Sequence, residues 1–303
     1  MRGEAREEPR AWIVYERDRA RANAPFIELL AQSLAARGIR SELRHAEDLA
    51  RAGLPDDAPQ VALMRCSAPR LHRLLEQSGV PCLNGARVTG IANDKARSYA
   101  LASEAGEPLL PFRDLGVVTD GLVQAVRGGL ALLPASERVV IKPVDGHGGE
   151  GVHLADGRGA ADALARLVGR RALVQRAASR LGSDVRAYVH DGAVVAAMRR
   201  RSDSDFRSNF CLGGTAEPFD LPAGARARAE RMASRLGPGF YGIDFLFDDG
   251  FPDGMVFNEF EDPVGCRMLY ARTRIDPAEI IAADAARALE AGRKETSRTG
   301  NGR

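Results

Sequence analysis

Val139-Val140-Ile141-Lys142-Pro143-Val144-Asp145-Gly146-His147-Gly148-Gly149-Glu150-Gly151-Val152 is the stretch that decides the fold of this chain. A β-branched run delivers a lysine and then enters a loop with glycine at four of the six positions from 146 to 151. With no side chains in the way, the backbone N–H groups of such a loop can close on an anion, so the stretch has the makings of a phosphate cradle. It is not a Walker loop, which reads G-x-x-x-x-G-K-[ST] and opens a helix, nor a G-x-G-x-x-G turn, which also runs into a helix. Here a strand follows. Taken alone, the pattern fits a plain glycine-rich hairpin as well, and His147 reads as a loop residue.

Lysine is scarce in this chain. Of 43 basic residues only Lys95, Lys142 and Lys294 are lysine, so the other 40 are arginine. An ammonium is a compact charge suited to one phosphate oxygen, whereas a guanidinium is a wide planar fork. Lys142 leads into the glycine loop. Lys95 follows Asn93-Asp94, either of which can cap a helix running to about Ala105 and ended by Gly106 and Pro108. Lys294 sits in a polar tail.

A second constellation is acidic: Gly242-Ile243-Asp244-Phe245-Leu246-Phe247, then Val256-Phe257-Asn258-Glu259-Phe260-Glu261. Strict strand alternation points Phe257, Glu259 and Glu261 one way and Val256, Asn258 and Phe260 the other. If the two runs pair, Asp244 adds a third carboxylate. Like charges about 4 Å apart repel by roughly 4 kcal/mol at an effective dielectric near 20, so the trio calls for cations. Magnesium, a hard ion that shares oxygen ligands with phosphates, fits, with manganese as a substitute. The bland alternative is a solvated acidic strand face.

A third group comprises Gly182-Ser183-Asp184-Val185-Arg186-Ala187-Tyr188, Met198-Arg199-Arg200 and Asp205-Phe206-Arg207-Ser208-Asn209-Phe210-Cys211-Leu212-Gly213-Gly214. Arginine forks suit phosphoryl groups and carboxylates. For Arg199 to Arg201 a surface salt-bridge lattice is a serious alternative in so arginine-rich a chain.

Around these motifs the chain falls into segments. Residues 1–90 alternate strand (Trp12 to Tyr15, Val61 to Met64) and helix (about 25–37 and 69–78), which implies a small parallel α/β domain. Residues 91–180 carry the glycine loop. Residues 181–290 read as antiparallel, with Asp191-Gly192 a hairpin turn between two alternating runs, and 291–303 read as a disordered tail. The fold class expected is α+β. Arg65-Cys66-Ser67 follows a predicted strand, where α/β sheets place ligands.

Composition narrows the partners. A chain of 303 residues with 45% apolar and 28% charged residues fills two or three globular lobes, and no run of about 18 apolar residues is present to span a bilayer. The amino terminus lacks the hydrophobic stretch of a secretory signal, so a cytoplasmic location is expected. A net charge of +2, with no interleaving of basic and aromatic residues, gives no reason to expect nucleic acid. Cys66, Cys82, Cys211 and Cys266 form no C-x-x-C pair, so neither zinc site nor disulfide framework is expected. Neither Cys211 nor Cys266 pairs with a base as a covalent nucleophile would.

In their order, these motifs resemble the ATP-grasp superfamily, and within it the ribosomal-protein-S6-glutamate-ligase-like branch. The resemblance runs from Asn93-Asp94-Lys95 through Val140-Ile141-Lys142-Pro143, Val174-Gln175, Asp184-Val185-Arg186, Asp205 to Asn209 and Gly213-Gly214. It ends at Gly242-Ile243-Asp244 and Asn258-Glu259-Phe260-Glu261, covering about residues 90–270. It implies two α+β lobes with antiparallel sheets clasping ATP, preceded by a pre-ATP-grasp α/β domain. The activity implied is a carboxylate–amine ligase that phosphorylates a carboxylate and lets an amine attack the acylphosphate, acting on small-molecule or peptide substrates. Carried over by position, Lys95, Lys142, Gly146, Gly148 and Gly149 would contact phosphates, and Gln175 would lie at the adenine hinge. Asp184 and Arg186 would lie beside the nucleotide, Arg207 and Asn209 would stabilise the transferring group, and Asp244, Glu259 and Glu261 would hold magnesium. Glu261 stands where the branch commonly has Asn, and Asp262-Pro263-Val264-Gly265-Cys266-Arg267 replaces its usual ending. A small-molecule kinase on the same scaffold and a nucleotide-binding protein without catalysis are the alternatives. A homo-oligomer is left open.

Overall fold

The computed structural model describes residues 8–133, 138–146, 148–157, 159–202, 205–207 and 214–300, with side chains as far as 294. The chain divides into two compact units, Met1–Thr89 with Asp262–Arg303, and Gly90–Glu261.

In the first unit β1 (Arg10–Tyr15), β2 (Arg40–His45), β3 (Val61–Met64) and β4 (Cys82–Leu83) form a parallel sheet in the order β2-β1-β3-β4. The two central strands are buried along nearly their whole length, as strands with both faces covered must be, which is why they read as continuous apolar runs. Trp12, Val14, Ala62, Met64, Leu71 and Leu75 form its core. The helix Pro277–Gly300 packs on the helix Ala24–Ala35 and on β3, so the C-terminal segment closes the first unit rather than extending a lobe that begins at 181. That helix continues to Gly300 through most of the stretch expected to be a tail. Once a helix has nucleated, each further residue adds a backbone hydrogen bond. Asp262 ties the segment down by accepting from Asn84 Nδ2 at 2.6 Å and from the Thr89 hydroxyl.

The second unit holds two antiparallel sheets. The first comprises β5 (Phe112–Val117), β6 (Arg138–Pro143), β7 (His153–Asp156) and β8 (Arg171–Arg176), in the order β5-β8-β6-β7. Val139 and Ile141 of β6 and Val174 of β8 pack with Leu164 and Leu167 in its core. The second sheet comprises β9 (Arg180–His190), β10 (Ala193–Arg201), β11 (Thr215–Pro218), β12 (Phe240–Phe247) and β13 (Met255–Glu261), in the order β11-β10-β9-β12-β13. Asp191 and Gly192 join β9 to β10 with φ of 46° and 88°. Positive φ at both turn positions is what a two-residue type I′ hairpin demands, and Asp-Gly supplies it.

Among the described residues no helix is long and apolar enough to cross a membrane.

Candidate active site

Strand register brings the acidic residues together. Asp244 on β12 is paired with Arg186 on β9 and with Glu259 on β13, so Arg186, Asp244 and Glu259 form one row across three adjacent strands. Glu261 is opposite Gly242, which has no side chain to intervene, and lies 3.4 Å from Arg186 Nη2. Oxygens of Asp244, Glu259 and Glu261 lie within 4.8 Å of one another.

This trio does not stand unpartnered. Arg186 donates from Nε to Asp244 Oδ1 at 2.8 Å and from Nη2 to Oδ2 at 2.7 Å. Arg200 on β10 donates to the same Oδ2 at 2.7 Å while gripping Asp184 through Nε and Nη2, both at 2.6 Å. All four residues are buried. The two guanidinium groups hold Asp244 below the usual carboxylate range in spite of burial, which alone would raise it. The mutual repulsion expected from the sequence is thus met in part by protein cations, while burial and the neighbouring Asp244 and Glu259 still raise Glu261 against the pull of Arg186.

Two lysines complete the centre. Lys95, at the start of the helix Lys95–Glu104, donates from Nζ to Gly146 O at 2.6 Å and lies 3.3 Å from Glu259 Oε2. Lys142 on β6 donates to the Tyr99 hydroxyl at 2.8 Å and to Asn258 Oδ1 at 3.0 Å. Strict alternation assigned Asn258 to the opposite face from Glu259. A register shift between Asp244 and Phe245 leaves an extra residue on β13, since Asp244 pairs with Glu259 but Phe245 pairs with Phe257. Such a bulge re-aims side chains, and here Asn258 reaches Lys142 beside Glu259. Burial is the main force on Lys142; with Glu259 opposing it and Lys95 adding repulsion, its ammonium is pushed down to about 7.

The glycine loop closes on itself. A Cβ at Gly146 would stand 2.6 Å from Pro143 Cγ and 3.1 Å from Glu150 O, so only glycine fits there. Arg207 donates from Nη1 to Gly149 O at 2.8 Å and from Nη2 to Asp205 Oδ2 at 2.6 Å, joining the 205–207 segment to the loop. Asn209 lies outside the described residues, as do His147, Ser208 and Gly213. Gln175 on β8 is buried.

The profile of the RimK-like ATP-grasp domain matches residues 92–284. The chain belongs to this family. It is 35% identical over 213 residues to a probable alpha-L-glutamate ligase of Maridesulfovibrio salexigens, covering 68% of this chain and 67% of that protein. The fold is that of D-cycloserine synthetase, with a TM-score of 0.73 and 18% identity over 92% of this chain and 99% of that one. It is also that of the ATP-grasp ligase PsnB, solved with a phosphomimetic variant of its minimal precursor, Mg and ADP. There the TM-score is 0.64, at 17% identity over 93% and 99% of the two chains. As a RimK-like ATP-grasp protein the chain is an ATP-dependent enzyme of the carboxylate–amine ligase class.

The family implies a divalent cation, and the donor set can be tested for it. Glu259 and Glu261 are 25% and 28% exposed, so their hard oxygens remain reachable. Asp244 is 0% exposed, with both oxygens engaged by arginines. The two glutamates therefore fit magnesium directly, and Asp244 fits it only by sharing an oxygen with Arg186 or Arg200. Asp184 and Arg186, expected beside the nucleotide, belong to the same ion network.

Arg200 and Asn258 were missed as members of the site. Counting back from the Asp191-Gly192 turn would bring Arg200 opposite Ser183; a bulge between Val194 and Ala196 shifts the register by one and sets Arg200 against Asp184, which the sequence pattern does not signal.

Proposed function

We propose that this chain forms an amide or peptide bond between a carboxylate and an amine through an acylphosphate, at the expense of ATP. The observation that supports it best is Lys95, which bonds Gly146 O of the glycine loop and pairs with Glu259, while Lys142 reaches Asn258 one residue away, so that candidate phosphate and cation ligands adjoin one another. In this reading Lys95 and Lys142 meet phosphate oxygens, which the neutral oxygen each ammonium already contacts supports, since a phosphate can replace it. Arg207, beside Gly149, would follow charge on the transferred phosphoryl group. Gln175, buried on β8, would read adenine. Magnesium, held by Glu259 and Glu261 with Asp244, would neutralise phosphate charge. With ATP doing the activating, the protein supplies position and charge, and no side-chain nucleophile is needed.

Incubation with Mg-ATP and pooled carboxylate and amine substrates tests this. The expected outcome is release of ADP and phosphate with a product lighter than the summed substrates by one water. A product that retains phosphate would make the chain a kinase instead.

A pH dependence follows from Lys142. Its ammonium, down at about 7 in the free protein, is charged below that pH and neutral above it. Phosphate ionises near about 6, so above pH 7.5 the nucleotide charge is constant and only the lysine titrates. ADP affinity is therefore expected to fall between pH 7.5 and 9, by at most about tenfold per unit, with proton uptake seen calorimetrically in buffers of different ionisation enthalpy. Lys142→Arg, charged throughout, should flatten the profile. An affinity independent of pH in the wild type would remove Lys142 from the phosphate site.

A further inference from the structure

A cavity of about 530 Å³ lies in the first unit, within the range of small-ligand pockets. Tyr15, Phe26, Val264 and Tyr270 give it apolar walls, and three arginines, Arg19, Arg65 and Arg267, line it without any Asp or Glu. Arg65, at the end of β3, is only 6% exposed. Its Nη2 donates to Val264 O at 2.6 Å and lies 3.7 Å from Cys266 Sγ, the guanidinium is 5.4 Å from the Phe26 ring centroid, and Nε has no hydrogen-bond partner among the described residues. No carboxylate lies within 4.0 Å of any of the three arginines among the described residues. The acidic groups that act most on Arg65 are the Cys266 thiol and the Tyr15 phenol, to which it is hydrogen-bonded; the carboxylate that follows them is Asp262, whose oxygens are taken by Asn84 and Thr89. A buried charge without a counter-ion is costly, by several kcal/mol, and is ordinarily paired. Arg19 and Arg267 add positive charge at the exposed rim.

We propose that this cavity binds a carboxylate carried on an apolar, aromatic-sized body, with no free ammonium beside it. The carboxylate supplies the counter-ion that Arg65 lacks, and the body packs against the wall that Phe26 and Tyr270 form edge to face. A free α-amino acid fits poorly, because its ammonium would lie among arginines with no acid to receive it. The C-terminal residue of a peptide, or an N-acylated amino acid, fits. The inference rests on the ligase reading only in taking this occupant to be a substrate.

Calorimetric titration of the full chain without ATP tests it. N-acetylphenylalanine is expected to bind at least about tenfold more tightly than N-acetylphenylalaninamide, which lacks the charge, and than N-acetylglycine, which lacks the apolar body. Arg65→Gln should abolish the preference for the acid over the amide while ADP binding is unchanged. Because Arg65 is buried, Ala271→Trp at the exposed wall is the second variant: it blocks the cavity and should abolish binding in a folded protein. Equal binding of acid and amide, equal binding of N-acetylglycine, or full binding by Ala271→Trp would overturn the proposal. Turnover is not the readout, so loss of the ligase reading leaves these outcomes intact, and ligation without acid binding here would sink this proposal alone.

Discussion

Glu259→Gln is expected to lower ATP-dependent phosphate release by roughly 10²–10³-fold, the scale of removing one electrostatic contact to the transition state, while the protein stays folded. Glu259 is the junction of the site: it lies 3.3 Å from Lys95, one strand from Asp244 and one residue from the Asn258 that meets Lys142. The lysines hold its carboxyl below the usual range against the effect of burial, so at neutral pH it is an anion. Glutamine keeps the shape and a carbonyl for Lys95 but removes the charge that a magnesium ion requires. The structural loss should be small, because the side chain is a quarter exposed and Lys95 keeps its bond to Gly146 O. The decisive comparison is ADP binding with and without magnesium. Magnesium should tighten ADP in the wild type and have little effect in the variant. Phosphate release within about threefold of wild type, with the magnesium effect intact, would place the cation elsewhere.

Much of this was legible in the sequence because it is local. The lysine before the glycine loop, the Asp-Gly hairpin and the alternating acidic strand each depend on residues a few positions apart, and their order identified the family. What escaped depends on pairing across the fold. β2, Arg-Ser-Glu-Leu-Arg-His, is a half-exposed edge strand with little apolar pattern, and it is fixed by parallel pairing to β1. Asn258 enters the site through a bulge that strict alternation cannot anticipate. Residues 262–303 close the first unit although the chain reaches them through the second, a return that only long-range packing specifies. Arg200 had the look of a surface arginine until its register against Asp184 was known. The acidic trio was correctly grouped, but the demand for cations was assigned wholly to metal when Arg186 and Arg200 already meet part of it.

That division of labour makes Asp244→Asn a different experiment from Glu259→Gln. Asp244 is fully buried and accepts three charge-assisted hydrogen bonds, two from Arg186 and one from Arg200. Asparagine offers one carbonyl and turns two N–H donors toward guanidinium groups that are themselves donors only. Removing one member of a buried ion network commonly costs about 3–5 kcal/mol, because the opposite charges stay buried without compensation. Asp184 still serves Arg200 and Glu261 still reaches Arg186, so the lower part of that range is expected, with a fall in Tm of roughly 10 °C. The measurement is thermal or denaturant unfolding without nucleotide or divalent cation, which excludes any contribution from a bound metal. A variant as stable as wild type to within about 1 kcal/mol, yet inactive, would show that Asp244 acts as a metal ligand and not as the keystone of the arginines. A double-mutant cycle sharpens the point. If Arg200 is held in place by Asp244, Arg200→Gln should destabilise the Asp244→Asn protein much less than it destabilises the wild type.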